Sequence, residues 1–441
     1  MLSYYEWRWS AFAALLVILL AGCSSMTSLV DTSPADISYQ AGEFDAAERG
    51  YRVLLAVEPT NAHALFRSGS LALWRNDLDV AIPLLEAARR GRGWWARLWP
   101  LSVELDSRLA LAYARAGRLR EAAALLEQAA GPMGAIKELK LRAQQLALFS
   151  DAPLYQLTGS GEAILPFVIT DPLPVVKLSV NGAPEALFFI DTGGEGLILD
   201  HGYAREVGAD MAGEVDAEYA GGKMGATSYG KVARVDFGPL RLEQVPTSSI
   251  DLRPTRSRVF PGLEVKGIIG TGLLSRFLAT IDYRQGRLIL RLPDTVPPEQ
   301  AKTRTIPFWM VETHLLFVRG QLNDLEPSLL FVDTGLADAG FLASQRVCDR
   351  AGIAVDWSKA KVGAGGGGET RGANISIHRV KLGDGVDAVT RTDLRGVVLE
   401  KDLSLFDGAL GFDVGGLVSH QFFRDSAITF DFRRMRLLIT R

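Results

Sequence analysis

Two Asp-Thr-Gly tripeptides carry side chains that could perform acid–base chemistry. Asp191-Thr192-Gly193 follows an apolar run at residues 186–190, and Asp333-Thr334-Gly335 follows an apolar run at 329–332. Two carboxylates held a few ångströms apart cannot both ionise, so they share a proton and serve as a base and an acid. Such a pair can activate a water molecule without a covalent enzyme intermediate, and the chemistry requires no metal or cofactor.

The sequence downstream of the two tripeptides also matches. Ile268-Ile269-Gly270 has its glycine 79 residues after Asp191, and Ala409-Leu410-Gly411 has its glycine 78 residues after Asp333. Each copy then ends in a predicted hairpin. A single Asp-Thr-Gly could be an ordinary turn after a strand. The same order of elements in two copies instead predicts a duplicated lobe.

These motifs resemble those of the pepsin-like and retropepsin-like aspartic peptidases, whose lobes each carry an apolar pair before Asp-Thr-Gly and a later apolar-apolar-Gly element. The resemblance covers residues 158–441 and implies an all-β, two-lobed fold. It implies that Asp191 and Asp333 are the catalytic carboxylates. It also implies that Thr192 and Thr334 reach across a pseudo-twofold axis and join the two loops.

The glycines of the tripeptides and the residues after them bear on how the carboxylates are held. Gly193 and Gly335 allow a sharp turn that brings amide N–H groups near the carboxylates. Gly194 and Leu336 follow, where the resembled family usually has Ser or Ala. Support for the carboxylates must therefore come from other groups. Lobe 2 also contains an insertion-like stretch at residues 414–420.

Alternating apolar residues, interrupted by Gly, Pro and Asn-Gly, predict β-structure from about residue 160 onward. The glycine-rich stretches at 221–225 and 363–368 lie where the resembled family has a flap over the substrate, and glycines would give such flaps freedom to move. The second stretch also fits the pattern G-x-G-x-x-G. Because it leads into the predicted strand Ile375-Ser376-Ile377 rather than a helix, a dinucleotide site is excluded.

A helical repeat precedes the β-rich part. Small and apolar residues recur with steps of 34 and 41 residues between the repeat starts, in the sets Gly42, Ala47, Tyr51, Pro59; Asn76, Ala81, Leu85, Ala88; and Gly117, Ala122, Leu126, Ala129. The pattern resembles a tetratricopeptide repeat array over residues 35–150. Stacked helix pairs of this kind leave a groove that could bind a peptide segment of a protein partner. A spacer or a cover for part of the enzyme is an equally good interpretation.

The N-terminus resembles the signal peptide of bacterial lipoproteins. An apolar run at residues 11–21 ends in Leu20-Ala21-Gly22-Cys23, which predicts that residues 1–22 are removed and that Cys23 is lipidated. A transmembrane helix is the alternative, but the run is shorter than the roughly 20 residues needed to span a bilayer. Ser24 favours the outer membrane. We therefore expect a lipid-anchored envelope protein that faces the periplasm.

Composition and residue spacing limit the kinds of partner and metal site that the protein could have. The formal net charge is −3, with 48 basic and 51 acidic residues, so neither nucleic acid nor an anionic surface is indicated as a partner. The five histidines have no metal-ligand spacing, and we expect each to be exposed or hydrogen-bonded. Cys348 is expected to fill a helix core. The predicted units are a signal peptide (1–22), a linker (23–34), helical repeats (35–150), lobe 1 (158–292) and lobe 2 (303–441).

The leading hypothesis is an aspartic endopeptidase that hydrolyses exposed peptide segments in the bacterial envelope. The alternative is a peptide-binding module that uses the same cleft without cutting, while the repeats recruit a second protein. A third hypothesis is a scaffold in which only the repeats function. Replacing one aspartate by a neutral isostere separates the first two, because hydrolysis requires a titrating pair and binding does not.

Overall fold

The computed structural model describes residues 33–91, 101–131, 134–149, 152–219, 223–297, 302–365, 368–401 and 410–441. The predicted signal peptide and Cys23 lie outside these residues. None of the helices in the described part of the chain is both long enough and apolar enough to cross a membrane.

Among the described residues of the N-terminal region there are seven helices, and each contacts the next along the chain. They are α1 (Pro34–Gln40), α2 (Phe44–Val57), α3 (Ala62–Trp74), α4 (Leu78–Gly91), α5 (Leu101–Arg115), α6 (Leu119–Ala129) and α7 (Lys137–Ala147). Local sequence explains several boundaries: the side chains of Ser33 and Asn61 accept hydrogen bonds from amides of the first turns of α1 and α3.

The repeated positions of the sequence pattern occupy equivalent places. The first residue of each set lies in a turn between helices with a positive φ: Gly42 (72°), Asn76 (58°) and Gly117 (77°). The alanines five residues later are fully buried: Ala47, Ala81 and Ala122. Left-handed backbone at these turns favours Gly and Asn, and small side chains allow helices to pack closely. The pattern therefore marked real turns and crossings.

The part of lobe 1 that the structure describes contains the first eleven strands and three short helices. The strands are β1 (Gln156–Gly159), β2 (Glu162–Pro166), β3 (Val175–Val180), β4 (Ala186–Ile190), β5 (Leu197–Asp200), β6 (Asp210–Tyr219), β7 (Lys223–Phe237), β8 (Leu240–Ile250), β9 (Val265–Ile269), β10 (Leu278–Asp282) and β11 (Arg287–Arg291). The helices are α8 (His201–Glu206), α9 (Arg253–Arg258) and α10 (Thr271–Leu274).

Lobe 2 repeats this plan. Its strands are β12 (Thr303–Val311), β13 (Leu315–Leu322), β14 (Ser328–Val332), β15 (Phe341–Ala343), β16 (Lys361–Gly365), β17 (Gly368–Leu382), β18 (Val389–Leu399), β19 (Val414–Val418), β20 (Ala427–Asp431) and β21 (Arg436–Thr440). Its α-helices are α11 (Gln345–Ala351), which buries Cys348, and α12 (His420–Phe423).

Strand order shows the duplication. Lobe 1 has the order β8-β5-β9-β4-β3-β7, and lobe 2 has the order β18-β15-β19-β14-β13, with β17 paired to both β18 and β13. A second layer joins the lobes, because β10 pairs antiparallel with β20 in the order β12-β21-β20-β10-β11-β2. The predicted fold class, a helical N-terminal region followed by a two-lobed β-rich region, is confirmed. The resemblance of the helical region to tetratricopeptide repeats stays a prediction.

One predicted correspondence between the lobes is wrong. In lobe 1, Ile268 and Ile269 of β9 lie beside Phe189 and Ile190 in parallel register. In lobe 2 the equivalent partners of Phe331 and Val332 are Leu417 and Val418 of β19. The counterpart of Ile268-Ile269-Gly270 is therefore Leu417-Val418-Ser419, not Ala409-Leu410-Gly411. The stretch 414–420 is accordingly no insertion but the crossing strand and the start of α12.

The helical region packs directly on lobe 2. Phe44 of α2 and Trp74 of α3 are almost completely buried. The ring of Phe44 lies 5.3 Å from that of Trp309 and 5.1 Å from that of Phe412, both edge-on. Burying such aromatic surfaces contributes several kcal/mol, about 1.5–3 kcal/mol for each large apolar side chain. The helices and lobe 2 thus share one hydrophobic core.

Candidate active site

Each Asp-Thr-Gly forms a tight turn at the end of a central strand. The amide of Asp191 donates to the carbonyl of Ile269 at 3.0 Å, and the amide of Asp333 donates to that of Val418 at 3.0 Å. The amide of Gly193 then donates to Oδ1 of Asp191 at 2.8 Å. Gly335 does the same for Asp333, also at 2.8 Å. Each carboxylate is therefore fixed by its own loop.

The two carboxyl groups meet across the lobe interface and share a side-chain hydrogen bond. A Cβ on Gly193 would lie 2.6 Å from Cγ of Asp333, and one on Gly335 would lie closer still to Asp191. Any side chain at either glycine would push the opposite carboxyl group away. The glycines are thus required for the close approach of the pair.

The pKa of Asp191 is raised well above its usual range, first by burial and then by the neighbouring charge and hydrogen bond of Asp333. Burial also raises the pKa of Asp333, against the lowering effect of its hydrogen bonds from Asp191 and from the amides of Gly335 and Gly193. Both side chains nevertheless remain partly exposed. The raised pKa values favour retention of a proton on the pair, and both residues are accessible to water or a ligand.

The threonines join the two loops. The amide of Thr192 donates to Oγ1 of Thr334 at 3.1 Å, and the amide of Thr334 donates to Oγ1 of Thr192 at 3.0 Å. Oγ1 of Thr192 also donates to the carbonyl of Val332 at 3.0 Å. Both side chains are fully buried. The structure thus places both threonines across the pseudo-twofold axis.

Neighbouring groups supply the support that Gly194 and Leu336 lack. The amide of Gly194 donates to the main-chain carbonyl of Asp191 at 3.0 Å and closes the turn. Oγ1 of Thr271, at the start of α10, donates to the carbonyl of Thr192 at 2.7 Å. In lobe 2, Oγ of Ser419 donates to the carbonyl of Leu336 at 2.9 Å. The sequence analysis missed Ser419, because its counterpart in lobe 1, Gly270, is a different residue type.

Both predicted flap stretches fall on β-hairpins. Residues 223–225 lie in the hairpin β6–β7, and residues 363–365 and 368 lie in the hairpin β16–β17. The tips, at 220–222 and 366–367, lie outside the described residues. Gly363, Gly365 and Gly368 thus belong to strands, in agreement with the exclusion of a dinucleotide site.

A charged cluster beside the Asp191 loop also escaped the sequence analysis. Arg142 of α7 makes a bidentate ion pair with Glu195, with N–O distances of 2.6 and 2.8 Å. His314, in the turn between β12 and β13, lies close enough to interact with Glu195 and with the main chain of Gly193. Burial lowers the pKa of His314, which favours its neutral form. Sequence separation hid this cluster, since 53 residues separate Arg142 from Glu195.

His420 also differs from expectation. It is 1% exposed at the start of α12, and neither ring nitrogen has a hydrogen-bond partner. Burial lowers its pKa to about 4. It is thus neither a surface nor a hydrogen-bonded histidine. Within the described ranges, no group of three or more His, Cys, Asp or Glu side chains could hold a metal ion.

Comparison with known protein families agrees with the two-lobed architecture. The model of the aspartyl protease family matches residues 176–273 and 318–414. Among solved structures, the crystal structure of Basic 7S globulin from soybean is similar over 64% of this chain and 95% of that chain, with 9% identity and a TM-score of 0.38. No curated protein matches the chain. The family match thus relates the two β-rich segments around Asp191 and Asp333 to the aspartyl proteases.

Proposed function

We propose that this protein is an aspartic peptidase in which Asp191 and Asp333 activate one water molecule. The observation that supports the proposal is the hydrogen-bonded carboxyl pair, formed by two loops locked together through Thr192 and Thr334. A structural role alone does not account for two carboxyl groups brought together in a buried setting, because their mutual repulsion costs stability.

The pair would work as base and acid in one step. The ionised carboxylate takes a proton from a water between the two groups, and the protonated partner donates to the oxygen of the scissile carbonyl. The water oxygen then bonds to the carbonyl carbon, which gives a tetrahedral intermediate without a covalent bond to the protein. One carboxyl then donates its proton to the leaving nitrogen as the C–N bond breaks. The other carboxylate takes a proton from a hydroxyl of the intermediate, so the pair returns to its shared-proton state.

The direct test replaces each aspartate by asparagine in the full chain. Asp191→Asn and Asp333→Asn should each reduce cleavage of a mixed peptide library by at least about 10³-fold, since Asn retains the shape but cannot exchange the proton. The double variant should be scarcely worse than either single variant, because both groups act on one water. Asp384→Asn, at an exposed turn between β17 and β18, is the matched control and should cleave normally.

Two results would reject the mechanism. Near-normal turnover by either single variant would exclude a shared pair. A wild-type protein that binds peptides but never cuts them would favour the peptide-binding module, for which both Asn variants should keep their affinity.

We also propose that the peptidase is lipid-anchored in the bacterial envelope, on the basis of the sequence at residues 20–23. The mature chain should begin at Cys23 with lipid attached. Mass spectrometry of the processed N-terminus tests this proposal, and an unmodified Cys23 or a retained leader would remove the anchor.

A further inference from the structure

The pseudo-twofold axis places two equivalent contacts on opposite sides of the aspartate pair. In each, the segment that follows one Asp-Thr-Gly meets a turn of the other lobe. On one side, His314 of lobe 2 lies beside Gly193 and Glu195 of lobe 1. On the other, Ala337 of lobe 2 packs against the lobe 1 cluster that contains Leu173. In the proposed peptidase, a peptide bound across Asp191 and Asp333 would extend towards these two contacts.

On the side of His314, helix α7 connects two parts of lobe 1. One is the loop after Asp191, here called the floor of the cleft, and the other is the pair of flap strands β6 and β7. At the floor, Arg142 holds Glu195, only four residues after Asp191. At the flap, the same guanidinium lies 4.7 Å from the ring centroid of Tyr229 on β7. Leu141 packs so closely on Gly213 of β6 that a side chain there would clash.

Further contacts fix this helix and the adjoining turn. Gln145 donates from Nε2 to the carbonyls of Gly230 and Thr247 at 2.7 and 2.9 Å. Arg115 of α5 donates to the carbonyl of Glu312 at 2.6 Å, next to His314. Helices α5 and α7 are thus both tied to the β-rich region on this side, and together they are called the helical wall.

The second side has no such helical wall among the residues that the structure describes. Asp338, five residues after Asp333, is exposed. Asp171, in the lobe 1 turn, keeps 44% of its side-chain surface accessible while it pairs with the exposed Arg424. The charged residues beside this second contact are thus exposed to solvent.

The flap strands differ in the same way. On β7 of lobe 1, Thr227 and Tyr229 are 5% exposed, because α7 covers this strand. On β17 of lobe 2, buried residues alternate with the exposed Asn374, Ser376 and His378. One face of β17 is therefore free where β7 is covered.

We propose that the helical wall closes one end of the cleft, so that the substrate is a peptide whose chain terminates a few residues from the scissile bond on that side. The proposal rests on the proposed peptidase function and replaces the expected endopeptidase with an end-directed one. Arg142 of the wall, with Glu195 and His314 beside it, supplies partly exposed groups suited to a charged chain terminus.

Peptides with and without free ends test the proposal in the full chain. The wild-type protein should cut a linear peptide near one terminus only, and the head-to-tail cyclised form of that peptide at least about tenfold more slowly. N-acetylated and C-amidated versions show which terminus faces the wall, since only one modification should slow cleavage. Equal cleavage of the cyclic and linear forms, or cuts spread evenly along a long peptide, would overturn the closed end.

Weakening the helical wall should make cleavage depend less on a free peptide end. Arg142→Ala removes the link between floor and flap, and Gln145→Ala is a milder change. Either variant should increase cyclic relative to linear cleavage, while Arg52→Ala, an exposed arginine of α2, should leave the ratio unchanged. An unchanged ratio in a folded Arg142→Ala variant would contradict the assignment to α7.

Binding to the Asp333→Asn variant separates this inference from the proposed function. Fluorescence anisotropy with labelled linear and cyclic peptides should show at least about tenfold weaker binding of the cyclic form. A wild-type protein that cuts nothing yet retains this preference would lose the peptidase function but keep the closed end. Equal affinity for both forms would overturn the closed end whatever the activity.

Discussion

The two lobes cover the equivalent apolar face of their central strands with different parts of the chain. Strand side chains alternate, so the residues two positions before each aspartate, Phe189 and Phe331, lie on the face opposite to Ile190 and Val332. In lobe 1, Phe189 packs against Phe260 from the lobe's own segment that follows β8. In lobe 2, Phe331 belongs to the core that contains Phe44 of the helical region.

This difference gives the helical region a structural role. Lobe 1 completes its core with nearby sequence, whereas lobe 2 depends on residues about 290 positions earlier in the chain. Removing the helices would expose Trp309 and Phe331, which are 5% and 3% exposed in the full chain. A detached spacer does not fit these contacts, and experiments on activity should therefore use the full chain.

The largest expected effects come from replacing Phe44 and Phe260, the aromatic residues that cover this face in lobe 2 and lobe 1. Phe44→Ala and Phe260→Ala should each lower the free energy of unfolding by about 3–5 kcal/mol, because each leaves a cavity in a fully buried cluster. Denaturant unfolding measures the loss, and hydrogen exchange locates it. Phe44→Ala should reduce protection in β14 and β19, and Phe260→Ala in β4 and β9. Loss in the same strands for both variants would contradict separate covers.

A smaller difference is expected between the two threonines. Oγ1 of Thr192 makes two of the hydrogen bonds described above, and Oγ1 of Thr334 makes one. Thr192→Val should therefore destabilise the protein more than Thr334→Val, with about 1–3 kcal/mol for each buried group left without a partner. Thermal unfolding provides the comparison, and the Ser variants should recover most of the loss. Equal effects would indicate that the loops are joined symmetrically.

The smallest expected effect is a pH dependence of opposite sign for two aspartates of lobe 1. Because the pKa of Asp191 is raised from 3.8, its ionisation destabilises the folded state as pH rises from about 3.8 through the folded-state pKa. Asp191→Asn should therefore gain stability relative to wild type between pH 3 and pH 7.

Asp200 supplies the matched control. Burial would raise its pKa, but hydrogen bonds from Arg256 and the amide of Leu252 lower it below 3.8. Its contribution is present above pH 3.8 and is lost as pH falls through the lowered pKa, so Asp200→Asn should lose stability relative to wild type over the same rise in pH. Unfolding free energies at the two pH values test both signs, and a shared sign would contradict them.

The sequence by itself determined the features that depend on neighbouring residues. An apolar strand followed by Asp-Thr-Gly, present twice, predicted the two turns and the two-lobed β-rich fold. The repeat pattern predicted stacked helices, and the first residues of its three sets, Gly42, Asn76 and Gly117, lie in left-handed turns that few other residue types fit. In each case the signal and the structure lie within a few positions of one another.

Only the tertiary structure decided which distant groups meet. Gly270 must be glycine because a Cβ there would collide with the Gly194 carbonyl, whereas Ser419 fits the equivalent site and donates a hydrogen bond to Leu336. Matching Gly270 to another glycine in the sequence therefore selected Gly411 wrongly. The pairing of Arg142 with Glu195 likewise has no local signal. Such contacts depend on how whole helices and sheets pack, and packing fixes shape and burial without requiring a fixed spacing in the chain.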